Sequence, residues 1–355
     1  MSRLSRMSVR ARTLWVGVSL SLVLLVLAAA LPVPYVALGP GSTFNTIGDA
    51  NGQPVITFTG DVPVVANEVP NGHLNMLTVT IVSQIPMLEA VGLWASGRFA
   101  MAPREEYFPP DQSVDEVNQQ NIQMFQDSQS TATIVALQHL GYPDVVYVGD
   151  IADSSPSFGV LDPQDQITAI NGKPVTDLTS LQQVMSSTKP GDVATVTVLR
   201  DGASIDKKVT LAANASAGPQ GFLGINVAQR PVAPFQVHIS LQDIGGPSAG
   251  LMFTLGIIDR LTPGDLSGGH FVAGTGTINL DGSVGAIGGI QQKEVAAREA
   301  GATVFLAPQA NCAEALAAVP RGLEVVRVSS LDDALAALKT VNAGGTPPLC
   351  SDPTG

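Results

Sequence analysis

The sequence predicts an α+β multidomain chain: an N-terminal transmembrane helix, a small β-rich domain and a C-terminal α/β domain. Three observations carry that prediction. Residues 13–31, "TLWVGVSLSLVLLVLAAAL", hold no charge and are long enough to cross a hydrocarbon core as a helix. Segments between 145 and 211 alternate apolar and polar residues, as half-buried strands do. From 222 onward strand-like runs alternate with helical patterns. With 355 residues the chain exceeds one typical domain, so two or three are expected.

The first element is the apolar run. Arg3, Arg6, Arg10 and Arg12 precede it and no acidic residue does. The positive-inside rule therefore leaves residues 1–12 as a cytoplasmic tail and exports the rest. Trp15 and Tyr35 flank the run as interfacial anchors. "LAAAL" also fits the end of a cleaved signal peptide, but the run is longer than a usual signal core, and a retained anchor is the preferred reading. All 30 acidic residues and 14 of the 18 basic ones lie beyond residue 12, a balance of −16. Such a surface repels nucleic acid and anionic lipid, so no nucleic-acid partner is expected. The bilayer itself is a partner through residues 13–31. Cys312 and Cys350 fit an oxidising compartment. A bridge pinning the C-terminal tail is preferred over two unrelated thiols.

Residues 32–122 read as a β-rich region with a helix: "VITFTG" and "HLNMLTVTIV" as strands, "IPMLEAVGLWA" as a helix, "PREEYFPPDQS" as a loop. A long helical pattern opens at Ser113, a cap three residues before Glu116. The small β-rich domain occupies 123–214, and within it Leu178, Leu181 and Val184 stand at helical spacing. "ASAGPQG", 215–221, is a linker signal. The α/β domain spans 222–341, and a polar tail fills 342–355.

Chemistry concentrates in "DIGGPSAGLMFTLGIIDRL" (243–261). Ser248 is either a nucleophile or a helix cap beside a turn. "GPSAG" formally matches the α/β-hydrolase elbow, which also needs an acid and then a histidine downstream. Only His270 follows, with Asp259 and Asp265 too close for the usual spacing. Two lysines follow Ser248, Lys293 and Lys339. Lys293 falls in the first turn of the predicted helix "QQKEVAAREA", closed by Gly301. The helix dipole disfavours a cation there, and burial would lower its pKa until a neutral amine serves as base. That is the requirement of a Ser–Lys dyad. The plain alternative is an exposed helical lysine. Asp281-Gly282 marks a two-residue hairpin turn between the two segments. A serine at the N-terminus of the apolar helix that follows it would place backbone N–H groups where an oxyanion forms.

"GPSAG", "TGTI", "G-x-V-x-x-IGG" and Lys293, in that order from about 222 to 341, resemble the proteolytic domain of Lon proteases. The resemblance implies Ser248 as nucleophile and Lys293 as general base. It gives Thr275 the role of orienting the lysine, and the backbone around Gly246, Pro247 and Ser248 that of oxyanion donor. It also implies assembly into a homo-oligomeric ring. Lon proteases usually carry an ATPase module, but no G-x-x-x-x-G-K-[ST] stretch is readable here. "SSPSFGVLDPQDQITAINGKPV" resembles a PDZ domain of the bacterial protease type and departs at Gln164, where glycine is usual. PDZ domains capture extended chain ends by strand addition, though a carboxylate-binding loop is not readable. Together the segments resemble membrane-anchored PDZ–Lon proteins of bacteria.

The resulting expectation is a single-pass, ATP-independent serine endopeptidase facing outside the cytoplasm, acting on protein or peptide substrates without cofactor or metal. A non-catalytic membrane scaffold binding peptide termini through the PDZ domain is the alternative. A hydrolase using His270 is a second. His73, His139 and His270 share no metal-ligand spacing. His238 reads as a packed strand histidine, and Asp243 as shaping the nucleophile loop.

Overall fold

The computed structural model describes residues 8–50, 52–63, 72–200, 202–214, 218–241 and 244–351. Arg3, Arg6 and Asp243 lie outside the described residues. In chain order the main elements are α1 (Val9–Ala30), β1 (Tyr35–Asn45), β2 (His73–Val82), α2 (Met87–Ala95), β3 (Ala100–Pro103), α3 (Val114–His139), β4 (Asp144–Ile151) and β5 (Gln166–Ile170). Next come α4 (Leu178–Met185), β6 (Val193–Arg200), β7 (Ala203–Thr210), β8 (Ile225–Pro231), α5 (Gly250–Leu261), β9 (Phe271–Gly274), β10 (Thr277–Ile278) and β11 (Val284–Gly285). The series closes with α6 (Ile290–Ala300), β12 (Val304–Pro308), β13 (Glu324–Val328) and α7 (Leu331–Asn342). Two compact units result, one of residues 1–57, 63–132 and 238–355, the other of 58–62 and 133–237.

α1 is long and apolar enough to cross a membrane. Its unit is built on a six-stranded mixed sheet in the order β13-β12-β9-β2-β1-β3. β2 runs antiparallel to β1 and parallel to β9. β9, β12 and β13 are mutually parallel. Leu74, Asn75, Met76 and Leu77 of β2 are all buried, as expected of a central strand covered on both faces. α6 packs on one face through Ile290, Ala296 and Ala297 against Leu77, Ala273 and Phe305. α5 is buried almost throughout, which its all-round apolar sequence requires.

The segment 32–122 is therefore not a separate region. It supplies β1, β2 and β3 to the sheet that the C-terminal segment completes. Periodicity identifies strands but not their partners, and the pairing of β2 with β9 joins residues nearly two hundred positions apart. The hairpin at Asp281-Gly282 also differs from expectation. Ile278 pairs with Val284, so the turn covers 279–283 rather than two residues.

The second unit carries the sheet β7-β6-β5-β4-β8 around Val146, Val148, Ile167, Val196 and Val198. α4 starts with a capping box between Asp177 and Ser180. Gln164, the departure from the glycine usual in PDZ domains, has φ +74°, a conformation in which glycine costs least. Asp165, 1% exposed, receives two hydrogen bonds from Arg200, at 2.6 and 2.7 Å. Arg200→Ala would leave that carboxylate with the Asp162 N–H at 2.9 Å as a remaining donor, and is expected to lower the denaturation midpoint by removing the buried ion pair. Of the linker expected at 215–221, residues 215–217 lie outside the described residues. Gly218–Phe222 is a strand paired with Ala212–Asn214, and β8 then returns to this sheet against β4. Gly218 and Pro219 thus stand in a strand, where turn-forming residues alone do not place them.

The C-terminal tail also has structure. After α7 ends, the Arg327 N–H donates to Pro348 O and the Cys350 N–H to Val325 O, each at 2.9 Å. The tail thus covers the edge of β13, where an open row of backbone groups would invite pairing with other chains. A disulfide joins Cys350 to Cys312. For a sequence separation of 38, chain-entropy reasoning gives about 4 kcal/mol. Cys350→Ser should lower the denaturant midpoint accordingly, and an unchanged midpoint would show that the tail is held by its backbone bonds alone.

Candidate active site

Ser248 lies in the turn that leads into α5, Thr275 just beyond β9, and Lys293 in the first turn of α6. The Thr275 N–H donates to Leu306 O (3.1 Å), tying the end of β9 to β12. From there the Gly276 N–H donates to Ser248 O (3.0 Å) and the Leu251 N–H donates to Gly276 O (3.1 Å). Two residues after β9 therefore strap the serine turn in place. Thr275 Oγ1 also donates to Ser248 O (3.0 Å).

On this frame Lys293 Nζ donates to Ser248 Oγ at 2.6 Å and to Thr275 Oγ1 at 2.9 Å. Lys293 is 2% exposed. Burial lowers its pKa from 10.5 to about 7, because removing water penalises the charged form. Near neutral pH a substantial fraction of the amine is uncharged. It can then hold Thr275 with one N–H while its lone pair accepts the serine proton. The exposed-lysine alternative does not describe this residue.

The glycines of the loop have separate causes. Gly246 has φ +87°. A Cβ on Gly250 would lie 2.9 Å from Ser128 Oγ and from Ile278 Cγ2, so no side chain fits as α5 begins. α3 supports the loop from outside: the Gly246 N–H donates to Asn121 O (2.8 Å) and Ser128 Oγ donates to Pro247 O (3.0 Å). These contacts correct the oxyanion expectation. Pro247 has no N–H, and the Gly246 amide is already engaged. The amides of Ser248 and Ala249 make no hydrogen bond among the described residues.

Asn121 and Ser128 carried no local signal, since a helical pattern does not say which loop the helix supports. Both belong to the walls of the site or its loop. A cleft of about 940 Å³ runs past Ser248 and Lys293 and is lined by Met76, Val79, Tyr107, Ile122 and Phe125 among others. His270 is exposed and does not line this cleft. His238 is exposed on the strand Phe235–Ile239 rather than packed, because its side of that strand faces outward.

Comparison with known proteins agrees with these two modules. Residues 233–340 match the model of the Lon protease (S16) C-terminal proteolytic domain, and residues 117–211 match that of the PDZ domain. The chain therefore joins a PDZ domain to a Lon-type proteolytic domain, with a helix apolar enough to span a membrane ahead of both. Among relatives, the Lon protease of Mesomycoplasma hyopneumoniae is 30% identical over 167 residues, covering 46% of this chain and 18% of that one. That of Xanthomonas oryzae pv. oryzae is 29% identical over 184 residues, covering 50% and 21%. The chain thus spans about a fifth of the length of these relatives. No ATPase module lies in the regions matched by the family models. The crystal structure of the PDZ domain of an SdrC-like protein from Listeria monocytogenes is 26% identical, covers 24% of this chain and 87% of that one, and superposes with a TM-score of 0.22.

Proposed function

We propose that this chain is a membrane-anchored serine endopeptidase that works without ATP and uses Ser248 and Lys293 as a dyad. The observation that carries the reading is the 2.6 Å approach of a buried lysine amine to Ser248 Oγ inside an open cleft. Neutral Lys293 takes the proton as Ser248 Oγ attacks a peptide carbonyl. The C–N bond breaks as the lysine returns that proton to the leaving amine, leaving an acyl ester on Ser248. Water, deprotonated by the same amine, then hydrolyses the ester. The Ser248 and Ala249 amides, ahead of α5, are the donors best placed for the oxyanion, adding the field of a helix N-terminus. Thr275 keeps the lysine aimed. α1 holds the chain in the bilayer with residues 1–12 in the cytoplasm, and the PDZ domain presents extended chain ends of unfolded or exported proteins.

The test is casein cleavage by the purified full chain in detergent, with and without ATP. Cleavage by wild type without nucleotide, unchanged by ATP and absent in Ser248→Ala, is expected. Equal cleavage by Ser248→Ala would overturn the dyad. Peptide binding with no cleavage by wild type would favour the scaffold.

A further inference from the structure

We infer that α2 lies on the bilayer surface beside the outer end of α1, with Trp94 as its interfacial anchor. The inference rests on the reading of α1 as a membrane anchor. α2 has two faces. Ala90 and Leu93 turn inward with Ile85 onto Ala37, Val33, Val82 and Met101. The exposed side beside them carries Met87, Val91 and Trp94 at i, i+4 and i+7, the spacing of one helical stripe. Those three are 53%, 53% and 65% exposed, and the neighbouring Leu88 is 46% exposed. An apolar stripe this dense on so short a helix is a recognition surface rather than ordinary exposure.

Continuity with α1 identifies the occupant. α1 ends at Ala30, Pro32 bridges to Pro86, and the Val33 N–H donates to Ile85 O at 2.9 Å. The first residue of α2 thus follows directly on a backbone pairing with the segment that leaves α1, and the two helices are in contact. If α1 spans the bilayer, its outer end sets the interface at the level of α2. Tryptophan is the residue that interface favours, with its ring among the headgroups. Only one ionisable side chain, Glu89, lies on α2, and the exported part is acidic. Attraction is therefore apolar, and a zwitterionic lipid suffices. Docking would tilt the sheet so that its β1–β3 end faces the bilayer.

The chain has two tryptophans, Trp15 and Trp94, so each becomes a sole probe when the other is changed. Full-length Trp15→Phe and Trp94→Phe are reconstituted in phosphatidylcholine vesicles whose acyl chains are brominated near the headgroup or near the bilayer centre. The expected result is blue-shifted Trp94 emission that is lost more to the shallow label than to the deep one. Val91→Glu should reduce that loss. Quenched Trp15 with unquenched Trp94 would overturn the inference and leave the anchor standing. Blue-shifted but unquenched Trp94 would also overturn it, placing the stripe against a second copy of the chain. Unquenched Trp15 would remove the anchor and the inference with it.

Discussion

Lys293→Met is expected to reduce casein cleavage by at least about 10⁴-fold, as is Ser248→Ala, because members of a catalytic unit fail together. The methionine keeps the apolar volume and removes the amine. Lys293→Arg should be equally inactive, since a guanidinium cannot deprotonate and has no acceptor. Wild-type kcat/KM should rise with pH through about 7, where the buried amine loses its proton. A flat profile across that region would argue against lysine as the base. The same shift has a stability consequence of known sign. The folded pKa lies below the unfolded value of 10.5, so between about 7 and 10.5 the unfolded chain binds more protons and stability rises with pH. Below about 7 the charged, buried lysine carries its full penalty. Lys293→Met removes it, so the variant should gain most over wild type in acid. Folding intact and cleavage gone in one protein would separate chemistry from damage.

How much of this was legible in the sequence depends on distance along the chain. The cap at Ser113 is local: the Ser113 N–H donates to Glu116 Oε2 at 2.7 Å, and the Glu116 N–H to Ser113 Oγ at 3.2 Å. α6 is local too, ended by Gly301 at φ +107°. The expectation for the candidate site rested on a motif run that resembles Lon proteases, and the structure brings Ser248, Thr275 and Lys293 within hydrogen-bond distance. What joins the segments that carry them was not readable. Parallel pairing of β2, β9 and β12 arises from burial on both faces, which leaves no register in the pattern of any one strand. The support of Gly246 by Asn121 is a backbone contact, to which the identity of residue 121 contributes little. The strand at Gly218–Phe222 was hidden for a related reason, since glycine and proline suggest a change of direction but not what the chain pairs with. Gln164 shows the reverse case. An unusual residue at a glycine position is held partly by its side chain, whose oxygen accepts from Arg230 at 2.5 Å.

Glu294→Gln is expected to raise stability by an amount that grows with pH, reaching on the order of 3 kcal/mol in mild alkali. Glu294 follows Lys293 on α6, is 0% exposed, and neither carboxyl oxygen has a hydrogen-bond partner among the described residues. An ionised carboxylate cannot persist so desolvated. Burial, reinforced by Glu314, raises its pKa from 4.5 to about 8. The folded chain therefore keeps a proton that the unfolded chain releases above about 4.5, so wild-type stability falls as pH rises from about 4.5 to 8. The amide cannot ionise and escapes that loss. Thermal midpoints of the two proteins should nearly coincide near pH 4.5 and diverge upward, the gap levelling off above 8. The activity inflection near 7 should stay where it is, because burial alone accounts for the Lys293 shift and Glu294 does not contribute to it. A pH-independent gap would mean that Glu294 is ionised and paired in solution. An inflection displaced in Glu294→Gln would instead make the carboxyl part of the lysine's electrostatic environment.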